Sequence, residues 1–109
     1  MTELFHLTEA ATWEAARAAG EYRQSTRGVT LEQQGFIHCS LRHQVRPVAE
    51  TFYADADDLV LLTVDLDKLT APVRFESDFP HIYGPIPVDA VVNVVPVTRD
   101  DTGRMVLPG

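Results

Sequence analysis

The sequence predicts an α+β fold in a single small domain spanning residues 1–109. Three observations lead there. Helix-forming segments fall in the first half, where an Ala-rich run follows Thr8 and a second apolar stripe runs through residues 41–54. Strand-forming segments fall mostly in the second half, at 58–66, 73–76 and 89–97. Nothing repeats, and no run of Pro, Gly or Ser divides the chain, so its 109 residues suit one domain with a split, mostly antiparallel sheet.

Taken in order, ELFHL (3–7) reads as a short strand with Leu4 and His6 on one face and Phe5 and Leu7 on the other. Thr8 offers a side-chain cap, the Ala-rich run favours helix, and Gly20 stops it. Ala10, Trp13 and Arg17 lie along one stripe, which makes Trp13 the expected core anchor. Residues 21–29 read as an exposed connection, and TLEQQG as a helical turn ended by Gly35. GFIHCS (35–40) then reads as extended. The next segment places Val45, Val48, Ala49 and Phe52 at helical spacing, with Ser40 as N-cap and Pro47 either near the helix start or at a kink.

DLVLLTVDL is apolar on both faces, as a central strand requires. VRFE alternates, with Val73 and Phe75 expected inward and Arg74 and Glu76 on the opposite face. FPHIYGPIP, with three prolines and a glycine, is expected to be irregular but stiff. DAVVNVVPV reads as a strand with Pro96 near its end, and RMVL as a last short one.

Composition sets limits on function. The net charge is −7, which repels phosphate backbones and counts against extended nucleic acid. Residues 1–50 carry net −1 and residues 51–109 net −6, so an anionic small ligand meets less repulsion on surfaces of the first half. No apolar run approaches the length of a membrane span. A lone cysteine and an N-terminal MTELFHLTEAA without a basic leader predict a reducing, cytoplasmic setting.

The chemistry-bearing residues cluster in two segments. In an extended GFIHCS, Ile37 and Cys39 share one face, and Phe36, His38 and Ser40 the other. Ile37 demands burial, so Cys39 goes into the core with it, where a thiol is a poor nucleophile. In HIYG, His81 and Tyr83 share a face, and Pro80 on one side with Gly84-Pro85 on the other restrict the backbone before any ligand arrives. His6 is a third candidate. His43, between Arg42 and Gln44, reads as a surface residue.

Three constellations compete. A metal site from His6, His38 and His81, with Glu76, lacks the tight ligand spacing of a zinc motif, and no metal is expected. His38 and His81 as an acid–base pair suit phosphodiester or cyclic-phosphate chemistry. A nucleotide cleft would use His6, Ser40, Tyr83 and an acid or arginine, with Tyr83 or Phe36 stacked on a ring. The absence of a Gly-rich phosphate loop, of GxGxxG and of GxSxG removes P-loop enzymes, Rossmann dehydrogenases and α/β-hydrolases respectively.

The order FHL, WEAA, GEY, GFIHCS, HQV, AETFY, DLVLLTVDLDKL, VRFE and FPHIYGPIPVDAVV resembles domain-of-unknown-function family 952 over nearly the whole chain. That resemblance implies an ADP-ribosyltransferase-like fold, in which a split sheet surrounds a cleft for NAD or an ADP-ribose-like ligand. It also implies roles. His6 would contact ribose or phosphate, and His38 and Ser40 would shape the second wall. The third motif falls on Glu76, or on His81 and Tyr83. Arg74, beside Glu76, would join the ligand-holding residues. The expected ligand is a small nucleotide, with NAD as ligand or substrate. The alternatives are a non-catalytic sensing or interaction module, and a two-histidine or metal-dependent hydrolase.

Overall fold

The computed structural model describes residues 3–107 and shows a small α+β domain with three α-helices, all before residue 53. Strand β1 (Glu3–Glu9) leads into helix α1 (Ala10–Ala19), and Gly20 ends that helix in the left-handed conformation. The strand is longer than the sequence suggests. Thr8 is buried within it rather than capping α1, and the N-cap position, Glu9, makes no side-chain cap bond. The Ala10 N–H donates instead to the Asp58 carbonyl at 2.7 Å, so a neighbouring loop does the cap's work. Trp13 is buried, as its stripe predicts.

Residues 21–29 overturn the expectation of an exposed connection. They form three short strands, β2 (Glu21–Tyr22), β3 (Gln24–Thr26) and β4 (Val29–Thr30). Tyr22 and Ser25 are fully buried within them. Helix α2 (Leu31–Gln34) follows, with a reciprocal box in which Thr30 Oγ1 accepts from the Gln33 N–H and Gln33 Oε1 accepts from the Thr30 N–H. Gly35 closes it with φ 92°.

Strand β5 (Ile37–His38) buries Ile37 and Cys39 completely, as alternation requires, and burial pushes the Cys39 thiol well above its usual range. Ser40 does not cap the next helix. Its N–H and C=O pair with Phe5 of β1 at 2.7 and 2.8 Å. Gln44 Oε1 accepts from the Leu41 N–H instead, closing a 3₁₀ turn that feeds α3 (Val45–Phe52). Pro47 sits in the first turn of α3, where a missing N–H costs nothing. Val45 and Ala49 are buried, but Phe52 is 57% exposed, against its expected inward position.

Strand β6 (Leu59–Asp65) is buried at every residue and forms the centre of an antiparallel sheet ordered β1-β6-β10, with β10 at Val91–Pro96. The second sheet, β5-β8-β7, contains β7 (Val73–Glu76) and β8 (Phe79–Ile82). Two expectations fail here. Phe75 is 57% exposed because β7 is an edge strand with little packed on it. FPHI is a regular, central strand despite its proline. The register places Pro80 opposite Cys39, whose N–H donates to the Pro80 carbonyl at 3.0 Å. An antiparallel pair would return a second bond from residue 80, and proline has no N–H to give. The β5 ladder ends there, and the chain crosses to pair Ser40 with Phe5. GFIHCS therefore joins the two sheets.

The β7–β8 hairpin turns through Ser77 and Asp78, both at positive φ (51° and 70°), a strained conformation for residues with a Cβ. Beyond it, β9 (Ile86–Pro87) pairs with β2, while β11 (Thr98–Arg99) pairs with β12 (Met105–Val106), the expected last short strand. Gly84 has a packing reason. A Cβ there would lie 2.6 Å from the Ala71 Cβ, closer than carbon atoms pack. Gly84→Ala is expected to destabilise the protein by about 1–3 kcal/mol in thermal unfolding, with Ala71→Gly in the same chain recovering most of the loss. Among the described residues, no helix is long and apolar enough to cross a membrane.

Candidate functional site

Where the two sheets join, the face of GFIHCS opposite Cys39 looks into a cleft. Its wider lobe encloses about 300 Å³ and is lined by Phe36, His38, Glu76, Phe79 and His81, among others. A narrower lobe of about 70 Å³ continues past His38 toward His6, Ser40, Val48, Phe52 and Tyr53. Ser25, Thr26 and His38 line both lobes, so the two lie side by side.

Strand pairing places the histidines side by side. His38 on β5 lies opposite His81 on β8, and their ring centroids are 5.2 Å apart. His81 is almost fully buried. Its ring stacks on Phe36 at 3.9 Å with planes 8° apart, and its Nδ1 lies 3.3 Å from Glu76 Oε1. The carboxylate thus fixes one ring nitrogen, and Phe36 fixes the plane. His38 is half-buried, packed against Phe79 at 4.9 Å, and its pKa is lowered by burial and then by the neighbouring His81. That shift favours a neutral imidazole at neutral pH.

His6 is used differently from the expectation. Its ring is buried, with Nδ1 2.7 Å from the His38 carbonyl oxygen and Nε2 2.7 Å from Tyr22 Oη. A carbonyl only accepts, so Nδ1 carries the proton and Nε2 accepts from the Tyr22 hydroxyl. Burial lowers its pKa to about 4 and raises that of Tyr22. Both nitrogens are committed to the protein. His6 clasps the backbone of His38 to β2 and offers a ligand only a carbon edge.

The remaining candidates divide. Ser40 lines the narrow lobe beside His6. Tyr83 and Arg74 lie on the same row as His81 but behind Phe36. Tyr83 is 5.5 Å from Phe36, and the Arg74 guanidinium sits 5.6 Å above the Tyr83 ring, which occupies the face expected to stack on a ligand. Phe36 does line the cleft, but it stacks on His81. Among the described residues lining the two lobes, none is Lys or Arg. No three His, Cys, Asp or Glu side chains among the described residues converge as a metal-holding group. His43 is exposed, as expected.

Sequence reasoning missed Ser25, Thr26, Phe79 and the α3 wall of Phe52 and Tyr53. Ser25 is the most informative of these. Its Oγ is buried and has no hydrogen-bond partner among the described residues. One signal pointed to that segment: Tyr22 is a large aromatic in an otherwise polar stretch between Gly20 and Gly28.

Fold and cleft together define a small α+β domain whose two three-stranded antiparallel sheets meet at a histidine-lined cleft. The chain belongs to the protein family of unknown function DUF952, whose model matches residues 7–94. It is similar to protein CC0527 from Caulobacter crescentus. The crystal structure of that protein is 28% identical, with a TM-score of 0.82 over 95% of this chain and 93% of that one. Its solution structure is 30% identical, with a TM-score of 0.72 over 95% and 91% of the respective chains. No curated protein matches the chain.

Proposed function

We propose that the cleft binds a nucleotide-type ligand and that His38 and His81 act on it as an acid–base pair. The observation that carries this reading is the two imidazoles 5.2 Å apart on the wall of a 300 Å³ lobe, one of them oriented by Glu76. That volume lies at the low end for small-molecule sites. NAD or ADP-ribose would therefore be held by one nucleoside end, whereas a nucleoside 2′-phosphate would present its single phosphate to the imidazoles. The lack of Lys or Arg in the lining favours ligands with little negative charge, as does the net charge of −7. An ADP-ribosyltransferase-like arrangement is favoured by the two three-stranded sheets joined at GFIHCS.

In this reading His38 and His81 face the reacting group, Glu76 holds His81, and Ser40 and Phe36 shape the walls. His6 is a positioning residue, acting through the His38 backbone. Glu76 turns toward His81 rather than toward an arginine, which supports acid–base use over a passive binding module. A cytoplasmic setting belongs to the same proposal and is supported by a lone cysteine whose thiol is free and buried.

The test is a titration of ring-labelled histidine protein with NAD, ADP-ribose and nucleoside 2′-phosphates, followed by NMR. Saturable shifts at His38 and His81 are expected with at least one ligand, and His38→Ala should weaken that binding about tenfold, the loss of one charge-assisted bond. If no ligand moves either ring at millimolar concentration, the proposal fails.

A further inference from the structure

Gln44 closes the 3₁₀ turn between GFIHCS and α3, and both ends of its buried amide are bonded. Oε1 accepts from the Leu41 N–H at 2.9 Å, and Nε2 donates to the Asp78 carbonyl at 2.8 Å, 34 residues away in sequence. A flipped amide would set donor against donor and acceptor against acceptor, so this assignment is unambiguous. Closing the turn requires only the oxygen. A glutamate would close it equally and would suit the start of a helix better. The nitrogen serves the distant carbonyl alone, and of the two side chains only the amide has it.

The distant carbonyl belongs to the hairpin that carries half of the cleft. Asp78 and Ser77 form the positive-φ turn between β7 and β8. The residues on either side of that turn each touch one cleft histidine. Glu76 Oε1 lies 3.3 Å from His81 Nδ1, and the Phe79 ring lies 4.9 Å from that of His38. Strand β7 is an edge, and its turn holds two residues in a conformation that side chains with a Cβ rarely adopt. Among the described residues, the bond from Gln44 is the one hydrogen bond that joins Ser77 or Asp78 to the chain outside the hairpin. The Glu76–His81 contact is at the long end of hydrogen-bond distances, so a small displacement of the turn breaks it. An ionised carboxylate only accepts. While the contact lasts, the His81 proton is on Nδ1 and Nε2 is the unprotonated nitrogen.

We propose that Gln44 is a positioning residue for His81. By holding the 77–78 turn through the Asp78 carbonyl, it keeps Glu76 against the imidazole and so sets which ring nitrogen carries the proton. The proposal rests on the acid–base reading only for the use made of that nitrogen, because the tautomer is defined with no ligand bound.

The test is long-range ¹H–¹⁵N NMR of ring-labelled histidine protein without ligand. In the wild type, His81 is expected to show a protonated Nδ1. Gln44→Glu keeps the acceptor for Leu41 but has no hydrogen for the Asp78 carbonyl. There the His81 Nδ1 resonance should move toward the unprotonated position, as the proton redistributes between the two nitrogens. His6, held by the His38 carbonyl and Tyr22, should keep its proton on Nδ1 and report an intact core. In a Glu76→Ala background His81 has no carboxylate to lose, and Gln44→Glu should add nothing. Ser77→Asn with Asp78→Gly, a pair that takes positive φ readily, should hold the turn unaided and return the wild-type signal to Gln44→Glu. An unmoved His81 in Gln44→Glu, an equal movement of His6, an effect that persists without Glu76, or no recovery with the Asn-Gly turn overturns the proposal. Nucleotide binding with His81 unmoved by Gln44→Glu would remove the role of Gln44 and leave the cleft reading. The expected tautomer changes in a protein that binds no nucleotide would do the reverse.

Discussion

His6→Ala is expected to lower the free energy of unfolding by about 3 kcal/mol, measured by urea denaturation. The reasoning follows the two bonds of the ring. Removing it leaves the His38 carbonyl and the Tyr22 hydroxyl without their 2.7 Å partners. An unsatisfied buried polar group costs about 1–3 kcal/mol, and the cavity left by the ring adds to that. The loss should show in the denaturation midpoint with an unchanged slope, since the same surface is exposed on unfolding. A loss below about 1 kcal/mol would mean that the ring is not the clasp described above.

Acidification should remove a comparable amount. Burial holds folded His6 at about 4, against its ordinary value of 6.5. Above pH 6.5 both states are neutral at this ring, and its contribution is fully present. As pH falls from 6.5 toward 4, the unfolded chain takes up a proton that the folded protein refuses, so stability drops. Below about 4 both states are protonated and the His6 slope ends. The gap corresponds to about 3 kcal/mol lost across that window. His38, lowered by burial and by His81, adds loss in the same direction. Asp55, held low mainly by Arg27, and Asp100, held low mainly by Thr102, add theirs only at still lower pH. Denaturation midpoints from pH 7 to pH 4 test this, with His6→Ala expected to lack much of the slope. An NMR titration placing His6 near 6.5 would refute it.

How much of this could be read from the sequence depends on the range of the interaction. Gly20, the Thr30–Gln33 box and Gly35 act within a few residues, and each lies where its chemistry predicts. Alternation in GFIHCS likewise sorted Cys39 from His38. The partners of His6 stand 16 and 32 residues away, and no local pattern announces a tyrosine hydroxyl or a specific carbonyl. Strands of two or three residues, such as those around Tyr22 and Ser25, are too short to show a period, so their burial was invisible. Phe52 and Phe75 misled in the opposite sense. Helical spacing and alternation identify a face but do not say whether anything covers it. Three prolines and a glycine make FPHIYGPIP read as irregular, yet Pro80 sits where its pairing with β5 ends, so its missing N–H leaves FPHI a regular strand.

That proline has a consequence for how the cleft is kept open. The seam between the sheets is set by the backbone as well as by the His6 clasp. It depends on a hydrogen atom that residue 80 lacks by covalent constitution, and on the Cys39 carbonyl that is consequently left out of the β5–β8 ladder. Packing can loosen as the molecule breathes, yet the missing donor is absent in every conformation. Strand β5 therefore takes no return bond from residue 80 and turns to β1 through Ser40, beside the crease from which both lobes open.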